Sequence, residues 1–441
     1  MKKLFSAIII SIFFNNCSFD NKTGIWTGSN QVVDKDRINQ NLELIFKKDK
    51  DVLEERDLAS NQNIVLENPR LYQSWPQSNQ NRFNNINNLN FANSGSYEKY
   101  IKISNTKINK DITIYKNKLF FSDTKGDIGV FSLNENRLIY KFNFYKKKLK
   151  KTKKIIKLII NDNLIIAADN FGYLYCLDYE NNKLVWAKNF LVPFRSNIKI
   201  IENILFLADE KNKIVLIDLN NGKKIDELYT QPPEAVSNFE SSFALDNNNN
   251  ILFLSTTGTL YSMNMINNKK INWIQNFKPD NEIIFNARPI IISDDKILIS
   301  TNNKIELLNI GGKKIWDLNI NSNISPVVSG NTIFILSEDN YLLLINKDNG
   351  NILFSKNIFS IFKNKYDNKF HKKIKKIDDI FLIGDKLLLI SDNTFFIELD
   401  LKNNLSASSI KKNSFNIASE IVFLNKQMIF VSNKKRIYKV N

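Results

Sequence analysis

Residues 172–190 read GYLYCLDYENNKLVWAKNF. An apolar alternating run closes on Asp178, a polar turn follows with Asn182 four positions later, and a second alternating run contains Trp186. Period-two alternation around a turn that tolerates positive φ is the signature of an antiparallel hairpin.

Seven other stretches repeat this unit. They are KLFFSDTKGDIGVFSLN to Asn134, NILFLADEKNKIVLID to Asp218, NILFLSTTGTLYSMN to Asn264, KILISTNNKIELLN to Asn309, TIFILSEDNYLLLIN to Asn346, KLLLISDNTFFIELD to Asp400 and QMIFVSNKKRIYKVN to Asn441. With the closing Asp or Asn as a ruler and NLIIAADNFGYLYCLD to Asp178 as the second copy, the steps are 44, 40, 46, 45, 37, 54 and 41 residues. Their mean of about 44 is the length of a four-stranded propeller blade. Gly or Asn stands four places after the ruler at Asn182, Gly222, Asn268, Gly350 and Asn404, and a large residue enters the next strand at Trp186, Trp273, Trp316 and Phe354.

A four-stranded sheet with two apolar faces cannot bury both alone, and stacking eight of them in a ring covers both and leaves only short edges. The sequence therefore predicts an all-β, eight-bladed propeller of four-stranded antiparallel blades over residues 96–441. The last copy ends after its third strand, so its outermost strand must come from elsewhere; YEKYIKIS, residues 97–104, alternates correctly and is expected to close the ring beside residues 436–440. Residues 61–94 are Asn-rich and weakly patterned, which predicts an irregular lead-in crossing the surface. Residues 34–58, charged and free of Gly and Pro, are the one candidate surface helix.

The amino terminus begins with Lys2 and Lys3, an apolar run over residues 4–14 too short to span a bilayer, and Cys17. This is the form of a secretion signal, here residues 1–16. Only one other cysteine exists, Cys176, inside an apolar strand pattern where it is expected to behave as a small buried hydrophobe. The formal charge of +17 falls to +15 without Lys2 and Lys3. Export argues against nucleic acid as the partner, and Lys is distributed along the whole chain beside abundant Asn and Ile. Two Lys-dense stretches, 146–154 and 363–376, read as solvated loops at blade junctions. His371 is the single histidine, so a histidine ligand cluster is excluded.

The Gly172–Phe190 copy resembles the PQQ-type propeller repeat, and the Cys17 region resembles a bacterial lipoprotein start. With the CSFDNKTGIW and WPQ segments, the whole mature chain resembles the BamB family, the propeller lipoproteins of the outer-membrane β-barrel assembly machinery. That resemblance implies a lipid on Cys17, residues 17–95 as an anchored lead-in, and a position on the periplasmic face of the outer membrane. It further implies a non-catalytic scaffold without cofactor or metal, one copy within a complex, docked on the POTRA domains of the barrel-inserting subunit. Two family contact patches map onto this chain. An apolar, apolar, Arg stretch falls on Val192, Phe194 and Arg195, and an acidic patch falls on Asn238 and Glu240, where only one acid is kept.

Two other readings stay open at this point. The same repeat builds quinoprotein dehydrogenases around pyrroloquinoline quinone and Ca²⁺, although the adjacent cysteine pair common in those enzymes is absent here. An adhesin or other ligand-binding envelope propeller shares every feature of the pattern.

Overall fold

The computed structural model describes residues 18–19, 26–27, 53–59, 64–91, 93–145, 149, 151–235, 239–264, 270–279, 284–363 and 373–441. Contacts divide the chain into residues 1–53 and 54–441. In the first unit, Ser18–Phe19 pairs antiparallel with Trp26–Thr27. Cys17, the signal segment and His371 lie outside the described residues, as does most of the candidate helix; residues 53–58 of it are not helical.

The second unit contains eight radial sheets, each with four antiparallel strands from an innermost to an outermost one; in blade 7 the lead-in residues Asn88–Leu89 add a fifth strand parallel to the innermost. Blade 2 is typical, with strands Ile156–Asn161, Leu164–Asp169, Tyr173–Asp178 and Lys183–Asn189. The innermost strands of blades 1 and 3 to 8 begin at Ile108, Lys199, Ser242, Ile291, Val327, Ile377 and Val422. Blade 8 is completed as the sequence predicts: Tyr97–Lys102 lies antiparallel to Arg436–Val440, with Val440 opposite Tyr97 and Arg436 opposite Lys102. Ring closure thus joins the two ends of the repeat region through backbone hydrogen bonds.

The ruler residue has a direct physical role. Asp178, Asp218, Asn346 and Asp400 end their third strands, and each side-chain Oδ1 accepts a backbone N–H two residues on, at 2.8 to 3.0 Å. Only a short side chain with an acceptor closes such a turn. Four residues after the ruler, Asn182, Gly222, Gly350 and Asn404 have positive φ; Asn268 lies outside the described residues. In the first copy the sequence places the ruler two residues late. The third strand ends at Ser132, Ser132 Oγ accepts from Glu135 N at 3.2 Å, and the positive φ falls on Asn136. Serine performs the same turn chemistry, so Asp or Asn is absent there.

Each third strand of blades 1 to 7 shifts register against its outer neighbour just before the ruler, for instance between Cys176 and Leu177 and between Leu216 and Ile217. A recurrent bulge increases local twist, which a ring of twisted blades requires. Apolar cores lie between blades: Phe120, Ile128 and Val130 of blade 1 pack with Leu158, Ile165 and Tyr175 of blade 2. Cys176 is fully buried in the next such layer, and burial pushes its thiol up to about 12.

A tryptophan latch repeats between neighbours. Trp186, Trp273 and Trp316 donate from Nε1 to the carbonyls of Leu219, Ile310 and Lys347 in the following blade, at 2.7, 3.2 and 2.8 Å. Their rings lie against the turn glycines Gly222, Gly312 and Gly350, where an added Cβ would come within 2.5 to 2.9 Å of the indole. Glycine is needed there for closeness as well as for φ.

The described lysines of the two Lys-rich junctions are exposed as expected at Lys151, Lys153, Lys373, Lys375 and Lys376, with one exception. Lys154 is fully buried, with Nζ donating to Thr152 O at 2.9 Å and lying 4.8 Å from the Tyr145 ring centroid. Before the second stretch, Ile358–Lys363 forms a short helix that buries Ile358 and Phe362. No helix among the described residues is long and apolar enough to cross a membrane.

Candidate functional site

The lead-in starts on the outer edge of blade 6, where Arg56 exchanges backbone bonds with Ser355, and then caps one mouth of the central channel. Trp75 exchanges backbone bonds with Ile114 of blade 1, Pro76 O accepts from Ile160 of blade 2, Arg82 O from Leu245 of blade 4, and Phe83 O from Ile292 of blade 5. Val65 O, Leu89 O and Tyr72 O accept from Asn331, Gly384 and Asn425 of blades 6, 7 and 8. Blade 3 joins through Lys199, whose buried Nζ donates to Asn81 O and Asn84 Oδ1, both at 2.8 Å. All eight blades therefore hold the cap.

Asparagine suits this role. Asn79, Asn84 and Asn87 have positive φ, which Asn tolerates better than most residues. Asn84 Nδ2 donates to Phe243 O and Ile290 O at 2.8 and 3.0 Å, while Asn88 donates to Gly384 O and accepts from Gly384 N. Buried backbone ends are satisfied by neutral amides at no charge cost. Trp75, 2% exposed, anchors the cap among Tyr72 and Phe423. The irregular backbone is as the sequence predicts, but residues from Glu54 onward belong to the same compact unit as the blades. Residue 96 marks where the blades start and not where that unit starts.

Beneath the cap is a cavity of about 310 Å³ lined by inner strands of the whole ring. Its wall carries Asp111, Glu240, Asp379 and Glu420 and one cation, Lys157. Lys157 pairs with Glu240, whose side chain is 50% exposed at the uncapped mouth. Loss of water raises the carboxyls of Asp111, Asp379 and Glu420, Asp379 to about 7.

The face around that mouth carries the outer-to-inner connections between blades. Four consecutive connections each expose an apolar side chain: Ile155, Leu191, Tyr229 and Ile284. Leu191 is 82% exposed and has φ +67, with its N–H held by Asn189 Oδ1 at 2.8 Å. A leucine in the left-handed region costs about 1 to 2 kcal/mol and is retained only where surroundings fix it.

Of the expected contact residues, Val192, Phe194, Arg195 and Glu240 are described, and they lie in the connections of this face. Phe194, mapped as a contact residue, does not protrude; it is 5% exposed and packs edge-on to Phe190 with centroids 5.4 Å apart. Val192 is half-buried, its backbone close against Gly172. The exposed apolar group of the loop is Leu191, which strand alternation misses because positive φ breaks the period. Arg195 follows, partly exposed, its N–H bonded to Ala208 O at 3.0 Å. The second patch is adjacent, since Ser196 bridges Ser241 in parallel. Glu240 faces the channel and its lysine, while Asn238 lies outside the described residues.

Comparison with solved structures finds similar folds in several proteins. BamB from Moraxella catarrhalis matches at a TM-score of 0.59 and 12% identity, over 78% of this chain and 98% of that one. Quinohemoprotein alcohol dehydrogenase from Comamonas testosteroni matches at 0.60 and 8%, over 81% and 76%. Sqt1 from Saccharomyces cerevisiae matches at 0.57 and 8%, over 79% and 99%. At these identities the likeness concerns the fold alone. Among curated proteins no sequence matches the chain. Residues 124–356, just over half of the sequence, match the family described as outer membrane protein assembly factor BamB. By that match, the chain belongs to the BamB family.

Proposed function

We propose that the protein is a non-catalytic docking scaffold for outer-membrane protein assembly, held at the periplasmic face of the outer membrane by a lipid on Cys17. It binds the POTRA domains of the barrel-inserting subunit through the uncapped face. Leu191 carries this reading: a strained, 82% exposed leucine next to an arginine-bearing loop, within a row of four apolar studs. Grouped exposed apolar side chains mark interaction surfaces, and arginine is among the residues enriched at interface hot spots. Val192 and Arg195 flank the stud, Phe194 fixes the loop from below, and Glu240 lies at the neighbouring rim; Asn238 joins the proposal on the family resemblance alone.

The capped face is unsuited to this task, because its polar groups are already spent on the lead-in. Family membership supports the assembly role over an unrelated envelope adhesin. Among the described residues no group of three His, Cys, Asp or Glu side chains is spaced to hold a metal.

A pull-down of purified POTRA domains by wild type, Leu191→Asp and Arg195→Glu tests the proposal. Both variants should retain the β-sheet circular dichroism spectrum and lose most of the captured partner. Undiminished capture by both would remove the assigned surface.

A further inference from the structure

The rim of the uncapped face carries a second surface, set by charge. From blade 7 through blades 8 and 1 to the start of blade 2, the loops between second and third strands bond to the connections beside them, and these bonds run without a break: Asp392 N to Lys376 O, Ile417 N to Asn393 O, Asn433 N to Asn416 O, Ile103 N to Lys435 O, Thr124 N to Lys107 O and Lys154 N to Thr124 O, all at 2.8 to 3.1 Å. Segments far apart in sequence thereby form one strip. Lys107, Lys125, Lys153, Lys375, Lys412 and Lys434 are exposed on it and enter no ion pair with a described residue. Its acids are already committed: Asp127 pairs with Lys141 and Asp378 with Lys376, Asp392 accepts from Lys375 N at 2.8 Å, Asp123 is buried, and Glu420 lines the channel.

A lysine-rich composition does not account for the strip, because the other half of the same face is balanced. In the loops and connections leading into and out of blades 3 to 6, the described acids Asp209, Glu210, Glu234, Glu240, Glu338 and Asp339 equal in number the described cations Arg195, Lys211, Lys213, Lys278, Arg288 and Lys304. Like charges gathered on one side repel one another, and an anionic surface laid over them relieves the repulsion.

The strip has the chemistry of an electrostatic contact and not of a packed protein interface. Packed interfaces deplete lysine and favour arginine and aromatic groups, whereas along the strip from Lys375 to Lys153 no described large apolar side chain is exposed. Each lysine close to an anionic bilayer strengthens attachment about fivefold, with no demand on shape. The path of the chain agrees. The described lead-in begins beside the short helix that opens the connection into blade 7, where Glu55 Oε1 accepts from Ser360 Oγ at 3.4 Å, and residues 18–53 lead from there to Cys17. This placement rests on the lipid proposed for Cys17; the charge of the strip does not.

We infer that the strip is a contact surface for an anionic lipid bilayer, which lays this side of the ring against phosphate headgroups and leaves the apolar half of the face to a protein. A lipid at Cys17 would limit how far the ring strays; the strip sets which side meets the membrane.

Vesicle cosedimentation tests this with residues 17–441 carrying Cys17→Ser, so that no lipid on the protein contributes. The parent chain should bind phosphatidylcholine vesicles that contain phosphatidylglycerol and not those of phosphatidylcholine alone. Raising salt from about 0.1 M to about 1 M, which shortens the Debye length from about 10 Å to about 3 Å, should release it. Combining Lys125→Glu, Lys153→Glu and Lys434→Glu should weaken partition at least tenfold, and Gln at the same three positions should weaken it less. The exposed Lys183, Lys223 and Lys313, in turns at the capped face, give the control: their combined change to Glu alters net charge equally and should weaken partition less than threefold, with circular dichroism unchanged throughout. No binding to the anionic vesicles, equal binding to neutral ones, or equal loss in both Glu triples overturns the proposal. Capture on a polyaspartate resin without vesicle binding assigns the strip to an acidic protein and overturns it as well. With Cys17 replaced, each of these failures leaves the docking and anchoring reading standing.

Discussion

The two mouths of the channel are built from the same inner strands yet obey opposite rules. At the capped mouth, neutral amides and backbone carbonyls meet one another until the blades are satisfied, with Trp75 driven between aromatic neighbours. At the uncapped mouth, carboxylates outnumber cations and a leucine stands in solvent on a strained backbone. Satisfied neutral groups seal at little cost, whereas unbalanced charge and exposed apolar area persist only if something else meets them. On the proposed reading, the difference separates a structural end from a docking end.

Changes at the capped end should be the most damaging. Trp75→Ala removes a buried indole and should lower unfolding free energy by about 3 to 5 kcal/mol in urea titrations. A smaller loss would mean that the lead-in lies on the ring without supporting it. Lys199→Met leaves Asn81 O and Asn84 Oδ1 without a donor and should cost about 1 to 3 kcal/mol. Burial lowers the Lys199 ammonium to about 7. Between pH 7 and about 10 the unfolded chain holds a proton that the folded chain has released, so wild-type stability gains with rising pH. The Met variant lacks that gain, and its deficit should widen across this window. The latch is a smaller element of the same architecture: Trp186→Phe strands the Leu219 carbonyl and should cost about 1 kcal/mol.

Most of the ring was legible in the sequence because its chemistry repeats. Asp178 and its counterparts close identical turns, so a spacing of about 44 residues survives where little else does. Ring closure by residues 97–102 followed from a missing strand and an alternating one. The cap was not legible: its bonds run from irregular backbone to hairpins scattered over all eight blades, which leaves no period to read. Its one signal was the interleaving of Trp75, Phe83, Ile86 and Leu89 with asparagines, richer in apolar residues than a solvated tether. The channel acids were equally hidden: Asp111, Asp379 and Glu420 share a repeat position with Lys157, four residues before the hairpin end of the inner strand, but the residue type there changes from blade to blade and no motif marks it. Phe194 and Leu191 exchanged roles because a single positive φ reverses which residue points outward.

The uncapped end should respond in the other direction. Folded Asp379 keeps its proton up to about pH 7, while the unfolded carboxyl loses it near pH 4. Wild-type stability therefore falls as pH rises through that interval, and Asp379→Asn, free of this fall, should gain on wild type from pH 4 to pH 7. Thermal melts at both ends of the range would reveal it. A constant difference would show that the channel carboxyl titrates as if in water.

The division between a sealing end and a binding end is tested most directly by placing one charge on each. Leu191 stands on the uncapped face and Leu71, also exposed, lies in the cap segment. Surface plasmon resonance against immobilised POTRA domains should show at least a tenfold weaker Kd for Leu191→Asp, with Leu71→Asp indistinguishable from wild type. Equal loss in both variants, or loss in Leu71→Asp alone, would contradict the account.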